Sequence, residues 1–260
     1  MNVNILSHYH PDERGFVEKM VDWLERTASQ HQLRRTDFLD PRQAQIVEAL
    51  VRRYPDLQMK LDGGFAQAER QRAIIAPDYM DIESQDMGIR LLIVESSDAK
   101  IAELDHGDYL GSMLGLGLKR EKIGDLHVSE QGCHCIVTEE LADFIDIHLQ
   151  QVHRVHVMTS IAPLNQFIPI IPKIQEMNLS VASMRLDGIV SDVCRLSRAK
   201  VMAPIKAGRC KVNWKVEEDP SRTLAEGDTI SMKGFGRFVL TTVQGETKKG
   251  RIRLTIAKYV

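Results

Sequence analysis

From Arg209 to Val216 the chain alternates without a break. Cys210, Val212, Trp214 and Val216 fall on one side of an extended backbone, and Arg209, Lys211, Asn213 and Lys215 on the other. This pattern predicts a strand with one buried and one solvated face, and the solvated face is cationic. Gly208 reads as the C-terminal glycine of a helix carrying Val201, Met202 and Ile205, with Ser197 placed to cap its start. Ahead of it Leu186, Ile189, Val190 and Val193 form the apolar stripe of another helix. The resulting order is a helix, a capped basic helix, a glycine stop and a basic strand. It gathers Arg185, Ser197, Arg198, Lys200, Arg209, Lys211 and Lys215 into one short module. Gly227-Asp228 then turns the chain into Thr229–Leu240, which is interrupted by Gly234-Phe235-Gly236-Arg237. The last strand alternates Ile252, Leu254 and Ile256 against Arg251, Arg253 and Thr255, after a hairpin turn at Lys248-Lys249-Gly250-Arg251.

Charge supports a division of labour. The net charge of -2 over 260 residues hides 16 Lys+Arg against 8 Asp+Glu from residue 181 onward, and 18 against 28 before it. A basic module on an acidic body points to a face made for a polyanion. Helix N-termini favour phosphate through their free N–H groups, which is where Arg198 and Lys200 fall. Residues two apart on a strand are spaced about 6.6 Å, close to successive RNA phosphates. RNA is therefore the expected ligand, with Arg198, Lys200, Arg209, Lys211, Lys215, Lys248, Lys249 and Arg251 as the contact set. No apolar run reaches transmembrane length, and the Met1-Asn2-Val3-Asn4 start lacks the features of a secretory signal, so no membrane association is expected. Cys133, Cys135, Cys194 and Cys210 form no CxxC pair and no disulfide framework, which fits a reducing cytoplasm.

The acidic body divides at about residue 76. In residues 1–76, Phe16, Met20, Trp23 and Leu24 recur at helical spacing over about 11–30. Asp40-Pro41 opens a second helix that ends before Pro55. Asp62-Gly63-Gly64 marks a turn before the apolar run Ala73–Ala76. In residues 77–180 the reading is a strand over Ile89–Val94, a helix through Ile101, Leu104 and Leu110–Leu118, and strands over 125–129 and 133–138. A helix over Glu139–Val152 and a strand over Val155–Ile161 follow, giving βαββαβ, the order of a ferredoxin-like or RRM-like fold. Ile161–Asn178 reads as irregular. Cys133-His134-Cys135 reads as core cysteines rather than metal ligands, and the expected third strand of this sheet lacks base-stacking aromatics.

From Ser183 to Lys215 the sequence resembles the S-four domain, the RNA-binding module named after small-subunit ribosomal protein four. The matching pieces are Arg185-Leu186-Asp187, Ser197-Arg198-Ala199-Lys200, Gly208-Arg209, Val212-Asn213 and Gly227-Asp228, and the resemblance implies Arg185, Ser197, Arg198, Lys200, Arg209 and Lys215 as RNA contacts. Upstream, Leu104-Asp105-His106-Gly107-Asp108-Tyr109-Leu110-Gly111, Leu114-Gly115-Leu116-Gly117 and Lys119–Asp125 resemble the YlmH family of bacterial RNA-binding proteins. So do Thr36–Pro41, Gly63-Gly64-Phe65 with Glu69-Arg70, and Gly234-Phe235-Gly236-Arg237. Gly107 departs from that family's pattern, which often has Arg or an Asn-like polar residue there. The resemblance implies a non-enzymatic factor that binds rRNA of the large ribosomal subunit and tRNA. It also implies a part in ribosome-associated quality control of obstructed peptidyl-tRNA, with no cofactor, metal or small-molecule substrate.

Two other classes compete. Arg185-Leu186-Asp187 also resembles the catalytic triplet of some pseudouridine synthases, but too little chain follows it for a synthase domain. Gly115-Leu116-Gly117-Leu118 lacks the later glycine of a nucleotide turn, which argues against a fused methyltransferase. A cell-division interaction protein is the third reading, because genes of the family lie near division genes in some bacteria. The expectation is an α+β protein: an N-terminal α+β domain (1–76), a central RRM-like domain (77–180) and a C-terminal S-four RNA-binding domain (181–260).

Overall fold

A computed structural model of the chain describes residues 3–170, 173–247 and 250–259. It is a mixed α/β structure in two compact units, Met1–Ile170 and Ile171–Val260. Among the described residues no helix is long and apolar enough to cross a membrane.

The first unit begins with α1 (Val3–Leu6) and α2 (Pro11–Gln30), followed by β1 (Arg34–Arg35) and α3 (Pro41–Val51). Asp40 caps α3 as the sequence predicts: its carboxylate accepts from Gln43 N–H, and the Gln43 side chain accepts from Asp40 N–H. Next come β2 (Leu57–Asp62) and β3 (Arg72–Pro77). These strands make a three-stranded antiparallel sheet in the order β1-β3-β2, and α2 and α3 bury Val17, Leu24, Val47 and Leu50 in the core beside it.

The rest of the unit carries β4 (Ile89–Glu95), α4 (His106–Gly115), β5 (Ile123–Ser129), β6 (Gly132–Thr138) and α5 (Glu139–His148). A short hairpin of β7 (Gln151–Val152) and β8 (Val155–His156) precedes β9 (Met158–Ala162). The sheet order is β5-β6-β4-β9, antiparallel throughout. Three boundaries differ from the sequence reading. The helix expected through 101–118 is a 3-10 turn, Ala99–Glu103, followed by α4, because Asp105 accepts from Asp108 N–H and starts a new helix there. α5 stops at His148, since Gln151 and Val152 pair with His156 and Val155. The expected strand Val155–Ile161 is split between that hairpin and β9.

Both faces of this sheet are covered. Leu92, Val94, Cys133, Cys135 and Val137 pack under Tyr109, Met113 and Ile145 of the helices. On the reverse face Ile89, Leu91, Ile136 and Ala162 pack with Phe38, Ile74 and Ala76. Arg72, 2 % exposed, fastens the two layers of the unit together: it donates to Thr36 O at 2.7 Å, to Gly88 O, and to Glu140 Oε1 at 3.1 Å. Phe65 and Phe167 stack 4.5 Å apart, and His127 meets both rings edge-on. His134 and His127 accept through Nδ1 from Ile168 and Ile170 N–H, so part of the segment read as irregular is pinned to the sheet.

At Gly132 the backbone φ is +143°, and an added Cβ would sit 1.9 Å from Val94 O. Gly132→Ala pairs a disfavoured backbone with a clash that no rotamer relieves. It is expected to cost about 3 kcal/mol, read as a lower urea midpoint at unchanged slope.

The second unit opens with β10 (Ile174–Val181), then α6 (Leu186–Cys194), α7 (Arg198–Lys206), β11 (Cys210–Val212), β12 (Lys215–Val216), β13 (Thr229–Met232), β14 (Gly236–Glu246) and β15 (Ile252–Tyr259). The six-stranded antiparallel sheet runs β10-β15-β14-β13-β11-β12. β10 pairs with β15 along its whole length, so residues 174–181, read from sequence as mostly irregular, belong to this sheet. One sheet face buries Cys210, Val212, Ile230, Met232, Phe238 and Leu240 with Leu186, Ile189, Val193, Val201 and Ile205 of the two helices.

Candidate nucleic-acid interface

The alternation from Arg209 to Val216 is not one strand. Asn213 and Trp214 both have positive φ, 51° and 64°, and the chain folds back so that Lys211 pairs with Val216 and Val212 with Lys215. Positive φ at both central residues is what a type I′ two-residue hairpin requires, and Asn tolerates it well. The Asn213 amide locks the turn: Nδ2 donates to Asp228 Oδ1 at 2.7 Å, and Oδ1 accepts from Thr229 N–H at 2.9 Å. Directly paired residues project to the same face of an antiparallel ladder. Lys215 therefore lies on the face of Val212, and Lys211 on the opposite one, which corrects the expectation that Arg209, Lys211 and Lys215 share a face.

On the helical side the site is built around Asp187. This carboxylate is buried and takes Arg185 in a two-pronged ion pair, Nε to Oδ1 and Nη2 to Oδ2, both at 3.1 Å. It also accepts from Gly188 N–H at 2.8 Å. Burial pushes the Asp187 carboxyl up, but the hydrogen bonds from Arg185 and Gly188 outweigh it and hold the group below its ordinary range. Arg185 is thus oriented by Asp187. Gly188 makes room for a second cation, since a Cβ there would lie 2.7 Å from Arg198 Nη2. Arg198 and Lys200 are exposed in the first turn of α7. Ser197 sits at the N-cap position with extended backbone, but its side chain makes no capping hydrogen bond. Only its carbonyl serves the helix, accepting from Lys200 and Val201 N–H. The α7 N-terminus keeps donors that no Ser197 side chain occupies.

Arg198, Lys200, Arg209 and Lys211 are exposed and make no side-chain hydrogen bond or ion pair among the described residues; Lys215 makes none either and is half-buried. Arg251 is exposed, but its guanidinium donates to Ser180 O and Oγ, so it also ties β15 to β10. Lys248 and Lys249 lie outside the described residues.

Elsewhere, Cys133 and Cys135 are core residues with sulfurs 3.4 Å apart. Among the described residues no group of three His, Cys, Asp or Glu is arranged to hold a metal. A hollow of about 480 Å³ beside α4 is lined by Gly107, Asp108, Gly111, Ser112, His148 and His153. His148 is engaged with Phe144 O at 2.7 Å, and His153 N–H with Ser112 Oγ. Sequence reasoning missed Trp214 and Arg237, whose guanidinium carbon lies 5.3 Å from the indole centroid. Nothing in the local pattern separated Trp214 from the core-facing series.

Comparison with known proteins gives three findings. Residues 12–80 match the family model "YlmH, N-terminal", and residues 83–166 match "Putative RNA-binding domain in YlmH". The ribosome-associated protein quality control protein P2 of Bacillus subtilis (strain 168) is 38% identical over 256 residues, 98% of each chain. Among solved structures, the cell division protein ylmH from Streptococcus pneumoniae is similar in fold, with a TM-score of 0.56 at 23% identity, covering 62% of this chain and 98% of that one.

Proposed function

The chain belongs to the YlmH family, and from that premise we propose that it is a non-enzymatic RNA-binding factor of ribosome-associated quality control. It docks in the cytoplasm on rRNA of the large subunit and on tRNA. The observation that carries the RNA-binding part is the set of exposed cations without side-chain hydrogen bonds among the described residues, Arg198 and Lys200 at the start of α7 and Arg209 and Lys211 beyond its end, in the basic part of an otherwise acidic chain. The relative's name, ribosome-associated protein quality control, supports the setting.

The same reading makes residues 181–260 an S-four domain whose contacts are Arg185, Ser197, Arg198, Lys200, Arg209, Lys211, Lys215, Lys248, Lys249 and Arg251. Residues 1–76 are then an N-terminal α+β domain. Residues 77–180 are an RRM-like domain, for which the β5-β6-β4-β9 order with α4 and α5 on one face gives support. In this domain the other sheet face is covered by Phe38, Ile74 and Ala76, so it does not serve as a base-stacking platform. Asp187, tempting as a catalytic carboxylate, is consumed by Arg185 and Gly188, which supports a binding role over a synthase.

Holding RNA by charge makes binding salt-dependent: with about six phosphate contacts, affinity falls about 10³-fold between 50 and 200 mM salt. Co-sedimentation tests the reading. The protein is expected to pellet with large subunits carrying peptidyl-tRNA at low salt and to stay in the supernatant at high salt. Failure to pellet with any ribosomal particle at low salt would overturn it, and a new pseudouridine or methyl group on incubated rRNA would replace it with the enzyme reading.

A further inference from the structure

We propose that the sheet face opposite α6 and α7 carries a stacking subsite for one unpaired nucleobase, built from Trp214 and Arg237; it rests on the RNA-binding reading above. The ladder register aligns Lys211, Ser231 and Arg237 on one rung. Their neighbours along the strands, Cys210, Met232 and Phe238, point into the core with the helices. Alternation therefore turns the rung to the open face. Ser231, between the two cations, is small, and Trp214 leans from the β11–β12 turn to meet the Arg237 guanidinium at 5.3 Å.

Trp214 is held there. Its φ of 64° is rare for a bulky side chain, and the turn is fixed by three hydrogen bonds at Asn213: the two from its amide and N–H to Thr229 O at 2.8 Å. The half-buried indole is held outside the apolar cluster of this unit, with one face on Arg237, so the turn presents it to the sheet face instead of packing it in the core. Phe235, 40 % exposed, lies in the β13–β14 turn at the other end of the ladder, beside Arg209, and stands outside the subsite. Exposed Lys211 stands on the Arg237 rung, and exposed Lys233, whose N–H donates to Arg209 O, and Arg209 continue the positive charge toward the far end of the ladder.

This combination selects its ligand. Flat aromatic surface calls for a flat partner, and the surrounding positive charge rejects cations and favours anions. A nucleotide is both flat and anionic. Its base must be unpaired, because a paired base in an A-form helix presents no free face to a side chain. Arg237 adds a planar cation to the stack.

The test uses the full chain with Trp23→Phe, so that Trp214 is the sole tryptophan emitter, and two probes: an oligouridylate of about ten nucleotides and a hairpin RNA with no unpaired bases beyond a minimal loop. Oligouridylate is expected to quench Trp214 emission and the hairpin stem to leave it nearly unchanged. Trp214→Leu should weaken oligouridylate binding about 5- to 100-fold without altering the salt slope, while Trp214→Phe keeps most of the affinity. Circular dichroism verifies that both variants fold. Salt-dependent RNA binding with no quenching, or with Trp214→Leu equal to the parent, overturns the subsite and leaves the RNA-binding reading standing. If neither probe binds at low salt, both fall together.

Discussion

Replacing Arg72 with methionine is expected to cost the first unit about 3–5 kcal/mol, the range for breaking a buried charged network by removing one partner. The loss has an identifiable origin. Methionine fills much of the volume, but it leaves Thr36 O without a donor in a site where Arg72 is 2 % exposed, while Gly88 O loses one of two donors and keeps Glu139 N–H at 2.8 Å. Each unpaired buried acceptor costs about 1–3 kcal/mol. Glu140 suffers less, because its side chain is 56% exposed and water can replace the guanidinium. Burial pushes the Glu140 carboxyl up, its own backbone N–H and the Arg72 charge pull it down, and the net result is below the ordinary range. Loss of Arg72 should move that carboxyl back up. Gly88, with φ +66° and an absent Cβ that would lie 2.9 Å from Arg72 Nη1, shows how closely the backbone wraps this side chain. Arg72→Lys should recover little, since one ammonium cannot reach three acceptors in a planar fork. Urea unfolding followed by Trp23 emission in a Trp214→Phe background measures the first unit; a loss under about 1 kcal/mol would show that Arg72 is not its fastener.

Arg72 also shows where sequence reading stops. The helices α2 and α3, the strands β3, β4 and β6, and the helices α6 and α7 follow from apolar spacing, Asp40-Pro41 and Gly208. Their signals are local, and local signals survive folding. A cation in front of an apolar run reads as a solvated flank, and only strand pairing and the approach of Gly88 and Glu140 bury it. The 209–216 segment fails for a different reason. Its period-two pattern is continuous, and Asn-Trp lacks the Asn-Gly sequence that announces a two-residue hairpin. Folding back reverses the expected facing of Lys215 and Val216. β12 is the last strand of the sheet, where both side chains are only half-buried, so the mismatch costs little. Of the proposed site, Arg185 with Asp187 and the α7 start with Arg198 and Lys200 were legible, because they depend on neighbours within a turn or two. The membership of Trp214 and Arg237 was not, because it depends on strands 23 positions apart in sequence meeting across β13.

Arg198→Ala with Lys200→Ala is expected to weaken binding to ribosomal particles about 100-fold at low salt and to reduce the magnitude of the logarithmic salt slope by about 2. Both side chains are exposed and without hydrogen bonds among the described residues, so the unfolding midpoint should hold while affinity falls. Arg185→Ala makes the control. It removes the two-pronged partner of a buried carboxylate, and so should cost stability as well as affinity. Acid sharpens the contrast. The Asp187 carboxyl sits below its ordinary range when folded, so its contribution is present above the unfolded carboxylate pKa and is lost as pH falls through the lower folded value. Arg185→Ala should flatten that acid limb, whereas the Arg198 and Lys200 pair should leave most of it in place. Filter binding over a salt series, with matched denaturation curves, separates the two. Undiminished affinity and an unchanged slope in the double variant would remove the α7 start from the interface, whatever RNA the rest of the chain holds.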